Sequence, residues 1–201
     1  MARLFLAVAL VALSMAGPAR GASPDYFPLT SGTEWVYRTS VGQDLIVRAS
    51  GTTQVGGIAC QILESMINGV VTQRECYRRE GGTLYVHVRI YPGGDIMLSP
   101  PQPMLVLPPT LGRGWSWNGK AGATPARVAM QWAKMEQVTT AAGTFAAAQL
   151  YLEGVVGEER VQSWRWFAPG VGMVREDSIA TSDGGSVRIV AELREFRPPR
   201  R

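Results

Sequence analysis

Apolar and polar positions alternate along most of the chain, and turn residues interrupt the alternation about every 8–12 residues, the rhythm of an all-β domain. The candidate strands are Glu34–Ser40, Asp44–Ser50, Ile58–Met66, Val70–Arg78 and Thr83–Arg89, then, after a break, Trp115–Gly119, Arg127–Trp132, Glu136–Thr140, Phe145–Glu153, Val161–Phe167, Met173–Asp177 and Ser186–Phe196. In Thr83–Ile90, Leu84, Val86 and Val88 take one face and Tyr85, His87 and Arg89 the other. In Ser186–Phe196 the alternation is weaker, because neither face is wholly polar. One segment fits two periods. Thr124–Val138 opens with an N-cap threonine and a proline, and Val128, Trp132 and Met135 fall at helical spacing; Val128, Met130 and Trp132 also alternate. Periodicity alone favours helix there.

The break itself, 91–114, is rich in proline (Pro92, Pro100, Pro101, Pro103, Pro108, Pro109) and carries Met97, Leu98, Met104, Leu105 and Leu107. Proline cannot donate to a strand ladder, so the expectation is an ordered crossover lying over a sheet edge or the mouth of a cavity, and not a central strand. Further on, Ser163–Asp177 sets Trp164 and Trp166 against a Pro169-Gly170 turn. Proline at the second position and glycine at the third suit a type II turn, with Gly172 permitting close approach beyond it. Trp164, Trp166 and Ala168 share one face; Arg165 and Phe167 share the other.

Composition adds compartment and size. Hydrophobic residues make up 46% of the 201 and charged residues 18%, which is globular and not disordered. Arg3 followed by the apolar run Leu4–Ala16 has the length of a signal-peptide core and is well short of the ~20 residues that cross a bilayer. Small residues at Ala19 and Gly21 place cleavage after Gly21. The expected organisation is therefore a signal peptide at 1–21, one β domain at 22–196 and a solvated basic tail at 197–201, with the mature protein exported to the periplasm or beyond and not stably inserted in a membrane. The net charge of +4 belongs to the ends: Arg3, Arg20, Arg197, Arg200 and Arg201 account for five of twenty basic residues, against sixteen acidic ones. No basic face for nucleic acid remains.

The two cysteines, Cys60 and Cys76, read as a disulfide in an oxidising compartment. They flank a hairpin around Asn68-Gly69. A strict two-residue turn sets Cys60 opposite Tyr77; a three-residue loop, Ile67–Gly69 with a glycine bulge, sets it opposite Cys76, which favours the second register. Such a ring contributes on the order of 3 kcal/mol. Other chemistry is sparse. His87 is the lone histidine, no set of zinc ligands exists, and no nucleophile-elbow, zincin or phosphate-loop motif occurs. No catalytic residue and no cofactor is assigned, and the expectation is that the protein is not an enzyme. The pairs Trp115/Trp117 and Trp164/Trp166 could stack sugars, but filling a core is the commoner use of such rings.

The motifs YFPLTSGTEWVYR, LPPTLGRGWSW, AAGTFAAAQLYLE, WRWFAPGVGMVRED and AELREF, in that order, resemble a widespread group of uncharacterised bacterial exported proteins. The group's pattern runs YFPL-x-x-G-x-x-W-x-Y, PAGTF, W-x-APGVG-x-VR and a terminal EL; Ala142 replaces its proline. Such proteins are similar in architecture to periplasmic lipoprotein carriers, strongly curved antiparallel sheets or half-open barrels closed by a small plug. The resemblance implies that Arg127–Trp132 is strand. The export signal, the strand rhythm and the apolar Pro-rich crossover point to a non-enzymatic binding module of the cell envelope, taking a lipid, an acyl chain or a hydrophobic protein segment in its concave face. Met97, Leu98, Met104, Leu105, Leu107, Trp164 and Trp166 are the candidate ligand or lid residues. The alternatives are an assembly protein working through its outer surface and a hydrolase of envelope polymers, which needs carboxylates converging in a cleft.

Overall fold

The strands in chain order are β1 (Glu34–Thr39), β2 (Asp44–Val55), β3 (Ile58–Ile67), β4 (Val70–Glu80), β5 (Thr83–Tyr91), β6 (Gly94–Val106), β7 (Gly114–Ala121), β8 (Thr124–Thr140), β9 (Gly143–Val156), β10 (Glu159–Ala168), β11 (Gly172–Ser182) and β12 (Gly185–Arg197). They are seen in a computed structural model that describes residues 24–199; the expected leader, 1–21, and the tail residues Arg200 and Arg201 lie outside the described residues. Every strand pairs antiparallel with its chain neighbours, and β1 pairs with β12. The single antiparallel sheet anticipated from the sequence therefore forms, and its curvature continues to closure as an up-and-down barrel. No helix occurs among the described residues.

The ambiguous segment is strand throughout β8. Ala126, Val128, Met130 and Trp132 are buried while Arg127, Ala129 and Gln131 are exposed, a period of two. Ladders to β7 and β9 on both sides supply the backbone partners that a helix would have found within itself. Tertiary pairing overrides helix propensity here. A bulge after Trp132 then resets the alternation. Another bulge corrects the reading of β5. Tyr77 pairs with Val86 but Cys76 pairs with Val88, which leaves His87 as an extra residue. Leu84 and Val86 face the lumen, whereas Val88 turns to the outside.

The proline-rich stretch is not a crossover. Most of it is β6, a wall strand, and the prolines are accommodated by irregular pairing. Toward β5 the register jumps from Val86–Gln102 to Val88–Met97, so four residues of β6, 98–101, oppose only His87. Toward β7 the ladder holds only at Leu98 and Ser99. Three indoles seal the rest of that seam. Trp117 Nε1 donates to the Pro100 carbonyl (2.8 Å), Trp115 Nε1 to the Pro103 carbonyl (3.0 Å) and Trp132 Nε1 to the Val106 carbonyl (2.8 Å). Side-chain donors thus replace the ladder bonds that prolines and bulges forbid. Gly119 is required at the seam, since a Cβ there would lie 2.6 Å from the Ser99 carbonyl oxygen and from the Trp117 ring.

Outside the barrel wall, Cys60, Ile62, Cys76 and Val88 make a small second core. The disulfide forms, with the two Cα atoms 5.3 Å apart. Its register differs from the expected one. Asn68 and Gly69 (φ 52° and 77°) make a two-residue turn, and Ile67 pairs directly with Val70. The extra residue sits within β4 instead, where the register shifts between Ser65 and Met66, so Cys76 pairs with Ile62 and the sulfurs join diagonally on the outer face. Arg197 is the last residue of β12, ion-paired to Glu34 and Glu195, and is not part of a solvated tail.

Removing the cross-link by the double substitution Cys60→Ser/Cys76→Ser should cost about 3 kcal/mol. In a chain of this length that lowers the thermal midpoint by roughly 6–12 °C in calorimetry. A shift under 2 °C would contradict this account.

Candidate ligand-binding lumen

A cavity of about 310 Å³ lies inside the barrel, bounded by side chains of β1 to β6, β10 and β11. Its floor is made by a segment that no strand pattern announces. Residues 24–33 cross one end of the barrel before β1 begins, and Phe27 and Leu29 are buried there. Phe27 stacks against Tyr77 (5.4 Å between centroids) and Phe167 (6.1 Å). Arg79 donates to the Asp25 carboxylate and the Phe27 carbonyl, both at 3.0 Å. The Gly170 N–H donates to the Asp25 carbonyl at 2.7 Å.

The turn Ala168–Val171 clasps this plug. Pro169 and Gly170 (φ 74°) form the expected type II turn, closed by Val171 N–H to Ala168 carbonyl at 3.2 Å. Trp35 Nε1 donates to the Val171 carbonyl and Tyr37 Oη to the Met173 carbonyl. Gly172 (φ +97°) lets the plug and Trp35 approach; a Cβ would lie 3.2 Å from Trp35 Nε1 and 3.5 Å from Pro28 Cδ.

Above this floor runs a belt of paired charges. Arg165 Nε donates to Glu176 Oε1 at 2.8 Å, and the hydroxyls of Ser163 and Ser178 lie 3.2 and 2.7 Å from the same oxygen. Arg89 bridges Glu75 (3.0 Å) and Gln102 (3.0 Å), while Tyr77 Oη donates to Glu75 Oε2 at 2.7 Å. Met104 contributes its sulfur 3.7 Å from Arg165. Burial pushes the Glu176 carboxyl up, but Arg165, Ser178 and Ser163 together outweigh it and hold the group below the usual carboxylate range. Burial, reinforced by Glu75, drives the Tyr77 hydroxyl well above its ordinary value, so it stays a donor. The belt is therefore charged but internally neutral.

The end opposite the plug is apolar and open. Along β12 the lumen-facing row runs Leu193, Ala191, Ile189, Val187. Leu193 is fully buried, Ile189 is 43% exposed and Val187 is 61% exposed. Leu45 lines the cavity and pairs with Ile67, which pairs with Val70, 64% exposed. A lip of aliphatic side chains thus leads down to the polar belt.

Of the residues singled out from sequence, Met104 alone lines this cavity. Leu98 and Leu105 are buried in the main core, Leu107 is half-buried beyond β6, and Met97 is 43% exposed. Trp164 and Trp166 face outward: Trp166 lies under Arg175 (5.2 Å) and donates to Glu136, and Trp164 packs on Tyr151. The lid assigned to 97–107 is a wall, and the plug is Asp25–Leu29. Arg165 and Phe167, the other face of β10, are what the lumen holds. The missed signal was a polar or charged side chain at inward positions, Gln73 and Glu75 on β4 and Arg165 on β10, which ordinary patterning assigns to solvent.

The fold has solved counterparts. A protein of Parabacteroides distasonis, provisionally assigned as a lipoprotein, superposes with a TM-score of 0.51 at 15% identity, covering 88% of this chain and 100% of that one. A protein of Bacteroides fragilis, provisionally assigned as exported and with a YmcC-like fold, gives a TM-score of 0.49 at 13% identity over 87% and 100%. No family model and no curated protein sequence matches the chain. At such identity the Parabacteroides likeness establishes fold and nothing further.

Replacing Glu176 by Gln strands Arg165 in a largely enclosed site and should cost about 3 kcal/mol at pH 7. Because the folded pKa of Glu176 is depressed, its contribution is fully present above the unfolded value, near 4.3, and is lost as pH falls through the folded one. The difference between wild type and Glu176→Gln in denaturant melts should therefore shrink below pH 4; a difference unchanged from pH 7 to pH 3 contradicts the pairing.

Proposed function

We propose that the protein is an exported, non-enzymatic component of the bacterial envelope that binds a small amphiphile in the barrel lumen. One observation carries this reading: a lumen cavity closed at one end by an aromatic floor, with an uncharged-overall polar belt above it and an apolar lip at the open end. A ligand entering head-first would leave its chain along Leu45, Ile189 and Val187 and set its head among Arg89, Glu75, Arg165 and Glu176. Because each arginine already has a carboxylate, the belt suits a neutral or zwitterionic head better than a bare anion. The volume lies at the small end of ligand pockets, so the ligand is a single short chain and not a whole diacyl lipid. The leader expected from the sequence and the disulfide support an address outside the cytoplasm.

The lumen also brings Glu75 and Glu176 into one cavity, which the hydrolase alternative requires. Binding is the better reading. Glu176 is kept ionised by Arg165, and Glu75 is occupied by Arg89 and Tyr77, so neither carboxylate is placed as a free proton donor.

Native mass spectrometry of protein purified from its own host should show a retained ligand of a few hundred daltons. Monooctanoyl glycerol and a short-chain lysophosphatidylcholine should compete it off, and Leu45→Trp, which fills the cavity, should abolish uptake while the fold is kept. Absence of any retained ligand together with probe uptake indifferent to Leu45→Trp would sink the proposal.

A further inference from the structure

The outer wall carries a second concavity that the lumen does not use. A groove of about 550 Å³ runs over β7 to β11. The side chains pointing into it from the outer face include Arg127, Glu153, Val155, Arg160 and Gln162. Arg127 and Arg160 both pair in register with Val155, from opposite sides. They therefore stand two strand spacings apart, about 10 Å, on one face.

Most cations among the described residues are ion-paired; these two, like Arg113 and Lys120, are not. Among the described residues every other arginine except Arg113 has a carboxylate within ion-pair distance. Arg127 and Arg160 have none, although Glu153 lies in the same groove. That carboxylate is engaged by Tyr151 Oη at 2.9 Å, and Gln162 reaches the same hydroxyl at 3.3 Å. Tyr151 stacks with Trp164, centroids 5.5 Å apart. Four residues along β9, roughly 13 Å, separate the cationic row from this half-buried aromatic platform. In sequence order the outer face thus offers a ring-stacking surface, a row of hydroxyl-binding groups in Glu153 and Gln162, and then two unpaired guanidinium groups. Aromatic faces stack on the apolar face of sugar rings, a carboxylate and an amide accept and donate to hydroxyls, and arginine forks match carboxylate or phosphate.

We propose that this groove binds an acidic saccharide, a sugar chain or ring bearing carboxylate or phosphate. The site is separate from the lumen, and the two stand or fall independently.

The test is titration of the full chain with oligogalacturonate, glucose 6-phosphate, maltotriose and inorganic phosphate, read by amide NMR shifts on β8–β10 and by Trp164 fluorescence. At least one of the two acidic sugars should bind, with maltotriose and inorganic phosphate at least tenfold weaker; whichever acidic sugar wins identifies the acid group. Arg127→Ala/Arg160→Ala should weaken it at least tenfold and steepen nothing in the melt, and Trp164→Leu should weaken it as well. Octanoyl glycerol uptake in the lumen should be unchanged in both variants. Equal binding of maltotriose or of inorganic phosphate, indifference to the double arginine variant, or no binding of either acidic sugar at millimolar concentration would each overturn the proposal.

Discussion

Twelve strands enclose more space than their own side chains can fill. An eight-stranded barrel is just wide enough for its inward residues to meet across the axis, and diameter grows with strand number. Closure here removes the sheet edges that an open sheet would have to protect, but it leaves a lumen that must be occupied by something. Two occupants share it. On the β7–β9 side, Trp117, Trp132, Met130, Leu150 and Leu152 are large enough to fill the space outright. At one end the segment 24–33 folds in and closes it. What is left over is the cavity, and its wall is where the buried charges sit.

The charges follow from that geometry. A dry pocket of this size lined only by aliphatic groups would leave its lining without contacts on one side. Arginine and glutamate reach further across a lumen than leucine or valine, and in pairs they satisfy each other. Arg165–Glu176 and Arg89–Glu75 each cost desolvation, which is offset by extra hydrogen bonds donated by Ser163, Ser178 and Tyr77 to the carboxylates and accepted by Gln102 from Arg89. Such a belt is weak evidence for stability, and it sets a fixed array of donors and acceptors that the proposed ligand would have to match.

Much of this was legible from residues, and the failures have physical causes. Strand rhythm, the disulfide and the type II turn at Pro169-Gly170 follow from local chemistry that the barrel does not contradict. The assignment of faces on β10 went the other way. Tryptophans read as inward because large rings usually are, but a lumen with a polar belt puts Arg165 inside and leaves Trp164 and Trp166 to pack on the outer surface beneath Arg175 and against Tyr151. The prolines of β6 misled because the rule against proline in a wall strand assumes backbone partners. Indole N–H groups from β7 and β8 supply bonds to β6 carbonyls instead, and no local pattern announces partners that far away in the chain. The plug was hidden for a similar reason: Tyr26-Phe27-Pro28-Leu29 carries no periodicity, and its role depends on Phe167 and Gly170, some 140 residues later.

That long-range clasp also joins two motifs that lie far apart in the chain. Plug and turn are each too short to fold alone. Asp25 is held by Gly170 and Arg79, Trp35 and Tyr37 of β1 reach carbonyls on the far side of the turn, and Gly172 is the contact point that admits no side chain. The β1–β12 seam closes at the same end, where Glu34 is gripped by Arg48 and Arg197. The first and last strands, the plug and the Pro-Gly turn are therefore one structural unit, and it forms only when the chain has gone all the way round. Among the described residues the opposite end carries no such clasp, only short turns and an aliphatic lip. A barrel sealed firmly at one end and left loosely apolar at the other has a defined way in, and the binding proposed for the lumen rests on that asymmetry.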